Sequence, residues 1–139
     1  MRLQFTLLAQ AASVPPDGLL YIHGGGINTV WTQQVPLAFQ GTLVIRLLAD
    51  RSEADRPQPL EIQVNDADGR SVLPEPIRLP VAAKAHPDHP VGWPIPVQVV
   101  ANLTGVQLAQ EGNYTIDVLL NDQHLGSENL RVRLVSQTV

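Results

Sequence analysis

The segment Leu108 to Val135, LAQEGNYTIDVLLNDQHLGSENLRVRLV, constrains the fold more than any other part of the chain. Tyr114, Ile116, Val118 and Leu120 alternate with Thr115, Asp117 and Leu119. A period of two sends one set of side chains to one face of a sheet, so the alternation predicts a half-buried strand. Asn121-Asp122 follows, two residue types that tolerate the positive φ of a tight hairpin turn, and Leu130, Val132 and Leu134 then alternate with Arg131 and Arg133. The second run is the antiparallel partner of the first. Glu111-Gly112-Asn113-Tyr114 places a tyrosine two residues before the buried position Ile116, as in the tyrosine corner of immunoglobulin-like sandwiches. Its ring is expected to pack inward and its hydroxyl to bond backbone.

The same alternation recurs upstream. Leu3, Phe5, Leu7 and Ala9 form a first strand that stops before Val14-Pro15-Pro16-Asp17-Gly18. Leu19 to Ile22 and Ile27 to Thr32 read as two short strands around Gly24-Gly25-Gly26, a bulge or a close approach of backbones. Gly41 to Ala49 is apolar on both faces and reads as a central strand. Leu60, Ile62 and Val64 lead into the turn Asp66-Ala67-Asp68-Gly69, after which Ser71 to Leu73 start back. Ile77, Leu79 and Val81 lie among Pro74, Pro76 and Pro80, which confines them to an edge because proline lacks a ladder donor. Ile95 to Leu103 completes the set. No helical stripe or internal repeat is present, so the chain reads as all-β: one single-domain antiparallel β-sandwich over 1–139, immunoglobulin-like, of about eight or nine strands.

Composition bears on partners. With 139 residues the chain is long enough to bury roughly two-thirds of its unfolded surface without a staple. It has no cysteine, which removes disulfides, thiolate metal sites and thiol nucleophiles and fits a reducing, cytoplasmic setting. The apolar run Phe5 to Ala9 is too short for a signal-peptide core, and no stretch approaches the ~20 apolar residues that span a bilayer. The net charge of −4, one lysine and eight scattered arginines argue against nucleic acid and against an anionic membrane as partners.

Four motifs carry possible chemistry. His23-Gly24-Gly25-Gly26 matches the glycine motif of esterase oxyanion holes, yet none of the five serines sits on a Gly-x-Ser-x-Gly elbow, so a structural bend is expected. His86-Pro87-Asp88-His89, in the long irregular stretch Ala82 to Pro94, offers two imidazoles and a carboxylate; a metal-dependent enzyme would build on His86, Asp88 and His89, against solvated loop histidines. No fourth ligand is evident. Asp66 to Gly69 lacks the third acidic position and closing glutamate of a calcium loop and reads as a turn. Trp31 and Trp93 are the candidate surface for a carbohydrate-type ligand. No cofactor and no catalytic residue is expected.

Leu7-Leu8-Ala9, Asp17-Gly18-Leu19, Gly24-Gly25, the strand Thr42 to Leu48, Asp66 to Gly69 and Glu111-Gly112-Asn113-Tyr114 together resemble a family of small uncharacterised bacterial β-sandwich proteins. The resemblance spans most of the chain and implies a bacterial, cytoplasmic origin with no activity or site residues to carry over. Gln10 departs from it, standing where an acidic residue is expected. The leading expectation for function is therefore a non-enzymatic interaction or structural module that self-associates or binds another protein. Val44, Leu48, Val100 and Leu119, apolar positions opposite the core sets, are its candidate surface.

Overall fold

The computed structural model describes residues 1–136. Their regular elements are eleven strands and one short 3-10 turn, Arg51–Glu53. In chain order the strands are β1 (Arg2–Ser13), β2 (Tyr21–Gly25), β3 (Thr29–Thr32), β4 (Leu37–Ala38), β5 (Thr42–Ala49), β6 (Gln58–Asn65), β7 (Ile77–Val81), β8 (Ile95–Asn102), β9 (Gln107–Leu108), β10 (Gly112–Leu120) and β11 (Gln123–Leu134). One sheet has the order β2-β1-β5-β8, the other β3-β11-β10-β6-β7, and β4 pairs with β9 apart from both.

The expected all-β sandwich is present, with two corrections. The strand number is eleven, because β4 and β9, two residues each, are too short to show any periodicity in sequence. The pairing is not wholly antiparallel: β3 runs parallel to β11, with Thr29 opposite Arg131 and Trp31 opposite Arg133.

Leu8, Leu43, Ile45 and Leu47 from the first sheet meet Leu60, Ile62, Ile116, Val118, Leu130 and Val132 from the second, each almost or wholly removed from solvent. Burying each such side chain contributes about 1.5–3 kcal/mol before entropy is counted. Phe39, Leu103 and Leu108 extend this core. β5 lies between β1 and β8, the central position its sequence predicts. β7 is an edge strand, as its prolines require. The return to β7 starts at Ile77 rather than at Ser71: a single bridge from Asn65 to Ser71 and the Val72 N–H to Val64 O bond hold the turn, and the ladder resumes only past Pro76.

The glycine bend is where the chain changes sheets. Gly24 and Gly26 have φ of +63° and +97°, and a Cβ on Gly25 would lie 2.9 Å from Ile22 Cγ2 and 3.0 Å from Leu7 Cδ1. The amides of Gly26 and Ile27 both donate to Leu8 O, at 2.8 and 3.0 Å, and Asn28 O then accepts from Arg131 N at 2.8 Å. Three residues therefore carry the chain from β2 in one sheet to β3 in the other. Where β2 and β3 end, β1 and β11 close the sandwich directly: Thr6 bonds Glu128, and Leu3 occupies the space a side chain on Gly126 would need.

The long hairpin turns as its sequence predicts, with Asn121 and Asp122 at φ +51° and +63°. Tyr114 is buried; its hydroxyl donates to Gln110 O at 2.6 Å and accepts from Gln110 N at 3.2 Å. Near the Arg51–Glu53 turn, Glu53 binds the Met1 α-ammonium and the Asp50 amide, and these two partners hold its carboxyl down at about 2. No buried side-chain nitrogen or oxygen among the described residues lacks a partner.

Candidate functional site

The outer face of the second sheet is mostly polar, with Leu119 and Trp31 as apolar exceptions. On β10 it presents Asn113, Thr115, Asp117 and Leu119, and on the flanking strands Asn65, Asn129 and Arg131. Ser127 faces Asp117 directly across the ladder. His124, three residues from Ser127, would ordinarily point to the opposite face, but the register slips by one between Val118 and Leu119 and leaves Leu125 as the extra residue of a bulge. Leu125 packs against the core and His124 turns outward beside Ser127.

A serine, a histidine and an aspartate thus meet. His124 Nε2 lies 2.9 Å from Ser127 Oγ and 3.3 Å from Asp117 Oδ1, Ser127 donates to the same Oδ1, and Asn65 Nδ2 donates to Oδ2 at 2.8 Å. Partial desolvation raises the Asp117 pKa, but the bonds from Ser127, Asn65 and His124 outweigh it and hold the carboxyl below its usual 3.8. The wiring differs from a nucleophilic triad, in which the carboxylate holds the other imidazole nitrogen and the serine gives its proton to the ring. Here one nitrogen faces both partners and the serine proton points at the carboxylate. The cluster fastens β6, β10 and β11 together across their solvent side.

Further along the same face, the Asp66–Gly69 turn, the start of β3 and strands β10 and β11 enclose a cleft of about 700 Å³, lined by Asn28, Thr29, Asn113, Thr115, Asn129 and Arg131 among others. Trp31 stands on β3, 60 % exposed, with the Arg133 guanidinium over its ring, 6.0 Å from the centroid. Trp93, also exposed, lies two residues before β8, an edge strand of the first sheet, whereas Trp31 stands on an edge strand of the second.

The 82–94 segment keeps His86, Asp88 and His89 at the surface. His86 Nδ1 accepts from Asp88 N at 3.2 Å and lies 3.8 Å from Asp88 Oδ2. His89 Nε2 faces two carbonyl oxygens, Trp93 O at 3.1 Å and Pro94 O at 3.2 Å, and Arg51 donates to His89 O at 2.8 Å. Carbonyls only accept, so that nitrogen carries its proton and offers no lone pair. Among the described residues no three histidine, aspartate or glutamate side chains are grouped to hold a metal ion. At His23-Gly24-Gly25-Gly26 the Gly26 amide is already bonded to Leu8 O.

The first sheet's outer face carries Val44, Leu48 and Val100, while Leu119 lies on the opposite sheet. Val44 is fully buried and the other three are half-buried. Their cover includes the chain itself: Gln98 Nε2 reaches Gly18 O at 2.7 Å, tying the 14–20 loop to this face. The exposed apolar surface lies at the neighbouring edge, where Leu19 is 59 %, Tyr21 50 % and Ile22 40 % exposed, with Val14 beside them. Asp17 accepts from the Tyr21 hydroxyl and the Leu19 amide, and these bonds hold its carboxyl below the usual value.

Sequence reasoning missed the Asp117–His124–Ser127 cluster because the bulge that aligns it leaves no mark on residue types. The apolar edge did have a signal: Leu19-Leu20-Tyr21-Ile22 is an unbroken run that no alternation assigns to a core.

The molecule is an all-β sandwich with one mostly polar outer face and one apolar edge strand. It belongs to DUF6941, a family of unknown function, whose family model matches residues 4–133. No curated protein and no solved structure matches the chain. Among the described residues no helix is long and apolar enough to cross a membrane.

Proposed function

We propose that the chain is a non-enzymatic interaction module on an immunoglobulin-like sandwich, and that it self-associates through strand β2. The observation that carries this is the exposure of every residue of β2, an edge strand whose second ladder face is unpaired and whose neighbours Val14 and Leu19 add apolar surface. An exposed edge with apolar side chains is a template for a further strand, and a second copy brings the same edge by symmetry. The immunoglobulin-like reading is supported by the Tyr114 corner and by strand adjacency. Taking β2 and β3 as the split first strand, followed by β5, β6, β8, β10 and β11, gives neighbour relations of that fold, with β1 as an added strand between the first and second and β7 beside β6 at the edge of the second sheet. We place the module in the cytoplasm of a bacterium, a setting with which its lack of cysteine agrees.

Light scattering of the tag-free protein across a concentration series tests self-association. The expected result is a concentration-dependent dimer that Ile22→Lys converts to monomer without loss of folded signal. A wild-type protein that stays monomeric at every concentration would sink the proposal.

A further inference from the structure

We infer that the cleft beneath the Asp66–Gly69 turn binds a neutral saccharide. The inference is independent of β2, since the cleft lies on the other sheet. Its size, about 700 Å³, is that of a small-ligand site, for which ~300–1,000 Å³ is usual. Its polar groups decide the ligand class. Asn28, Asn113 and Asn129 all line it, and none of these three amide side chains has a hydrogen-bond partner among the described residues. Each amide sets an acceptor oxygen beside a donor nitrogen, and adjacent sugar hydroxyls present the matching donor and acceptor pair. Asn113 and Asn129 stand on neighbouring strands, with Thr115 opposite Asn129 and Arg131 opposite Asn113, so these groups form a compact block rather than a scatter.

Charge favours an uncharged ligand over an anion. Arg131 is the only basic residue in the lining, and its Nη2 is already directed at Thr29 Oγ1, 3.4 Å away. Asp66 stands across the cleft, one carboxylate oxygen holding the amides of Asp68 and Arg70 at 2.9 Å. A phosphate or carboxylate would meet one engaged cation and one carboxylate. A saccharide meets neutral amides and hydroxyls over the rest of the lining.

Trp31, outside the lining itself, offers an apolar surface onto which such a site would extend. It shares the outward face of β3 with Thr29, two residues or roughly 7 Å along the strand, and its indole is exposed beside Arg133. The C–H face of a pyranose ring packs on such an aromatic face.

The test uses the full chain carrying Trp93→Phe, so that Trp31 is the only indole. It is titrated with soluble glucose-, mannose- and N-acetylglucosamine-based sugars, both single units and short chains, while Trp31 fluorescence and amide NMR shifts are followed. Expected is saturable binding by at least one sugar at millimolar concentration or below, with shifts at Asn113, Asn129 and Arg131. Asn113→Ala with Asn129→Ala, both at exposed positions, should weaken it at least about tenfold, the loss of one or two hydrogen bonds. Binding by single units would place the ligand within the cleft; a requirement for chains would extend it onto Trp31. No shift with any sugar, or binding unchanged by the double substitution in a protein with wild-type circular dichroism, overturns the inference. If the double variant does not fold, Trp31→Ala takes its place: affinity for a chain-length ligand unchanged by it, with no shift at Asn129, has the same force.

Discussion

Two kinds of residue explain how the sandwich is held, and they differ in how far sequence betrays them. Tyr114 was legible, because a tyrosine after Glu-Gly-Asn and two before a core position has one common use. Tyr114→Phe removes a buried hydroxyl that both donates to and accepts from Gln110, and urea unfolding should show a loss of about 1–2 kcal/mol. Asp117 was not legible, since its partners lie on other strands, and the first of Glu53's two partners, the Met1 ammonium, lies far from it in sequence. Both carboxyls titrate lower in the folded chain than in the unfolded one. A depressed folded pKa adds stability that is complete above the unfolded value and disappears as pH falls through the folded one. For Glu53 that window runs from 4.5 down to about 2, and for Asp117 it begins near 3.8. Urea midpoints measured on the acid side should fall through this range, and Asp117→Asn should flatten its part of the fall; an unchanged slope would contradict the role given to the Asp117 cluster.

At the scale of elements, periodicity located the long strands and turn chemistry located the hairpins, but neither reported register. The bulge at Leu125 shows why: it depends on how two strands slip, which no single strand encodes. Deleting Leu125 should return the hairpin to regular alternation with His124 still opposite Leu119 on the outer face, and should lower the unfolding midpoint only by the loss of the Leu125 side chain from the core, with the strand signal in circular dichroism unchanged. The turn offers a test of opposite sign. Asp122 sits at φ +63° in a two-residue turn where glycine is the favoured second residue, so Asp122→Gly should raise stability by several tenths of a kcal/mol. The glycine bend was read as a bend between two strands; that those strands serve different sheets depends on partners far along the chain. Gly26, at φ +97° with open space about it, is expected to cost about 1 kcal/mol or more when changed to alanine, from backbone strain alone.

For the molecule as a whole, the class of fold was legible because alternation runs through nearly every segment and no helical stripe competes with it. The parallel β3–β11 pairing was not, because it joins Thr29 to Arg131 from opposite ends of the sequence. Pairings of that reach make the chain a slow folder for its size, and stopped-flow refolding should fall in the millisecond-to-second range of non-local β topologies. The three residues that step from one sheet to the other have a further consequence. Gly26 and Ile27 are clamped to Leu8, and Asn28, immediately after them, borders the cleft, so the apolar edge and the polar cleft hang on adjacent lengths of one short tether. Thermodynamic reciprocity makes any coupling between them run both ways: if a copy docked on β2 changes the affinity of the cleft, cleft occupancy changes self-association by the same factor.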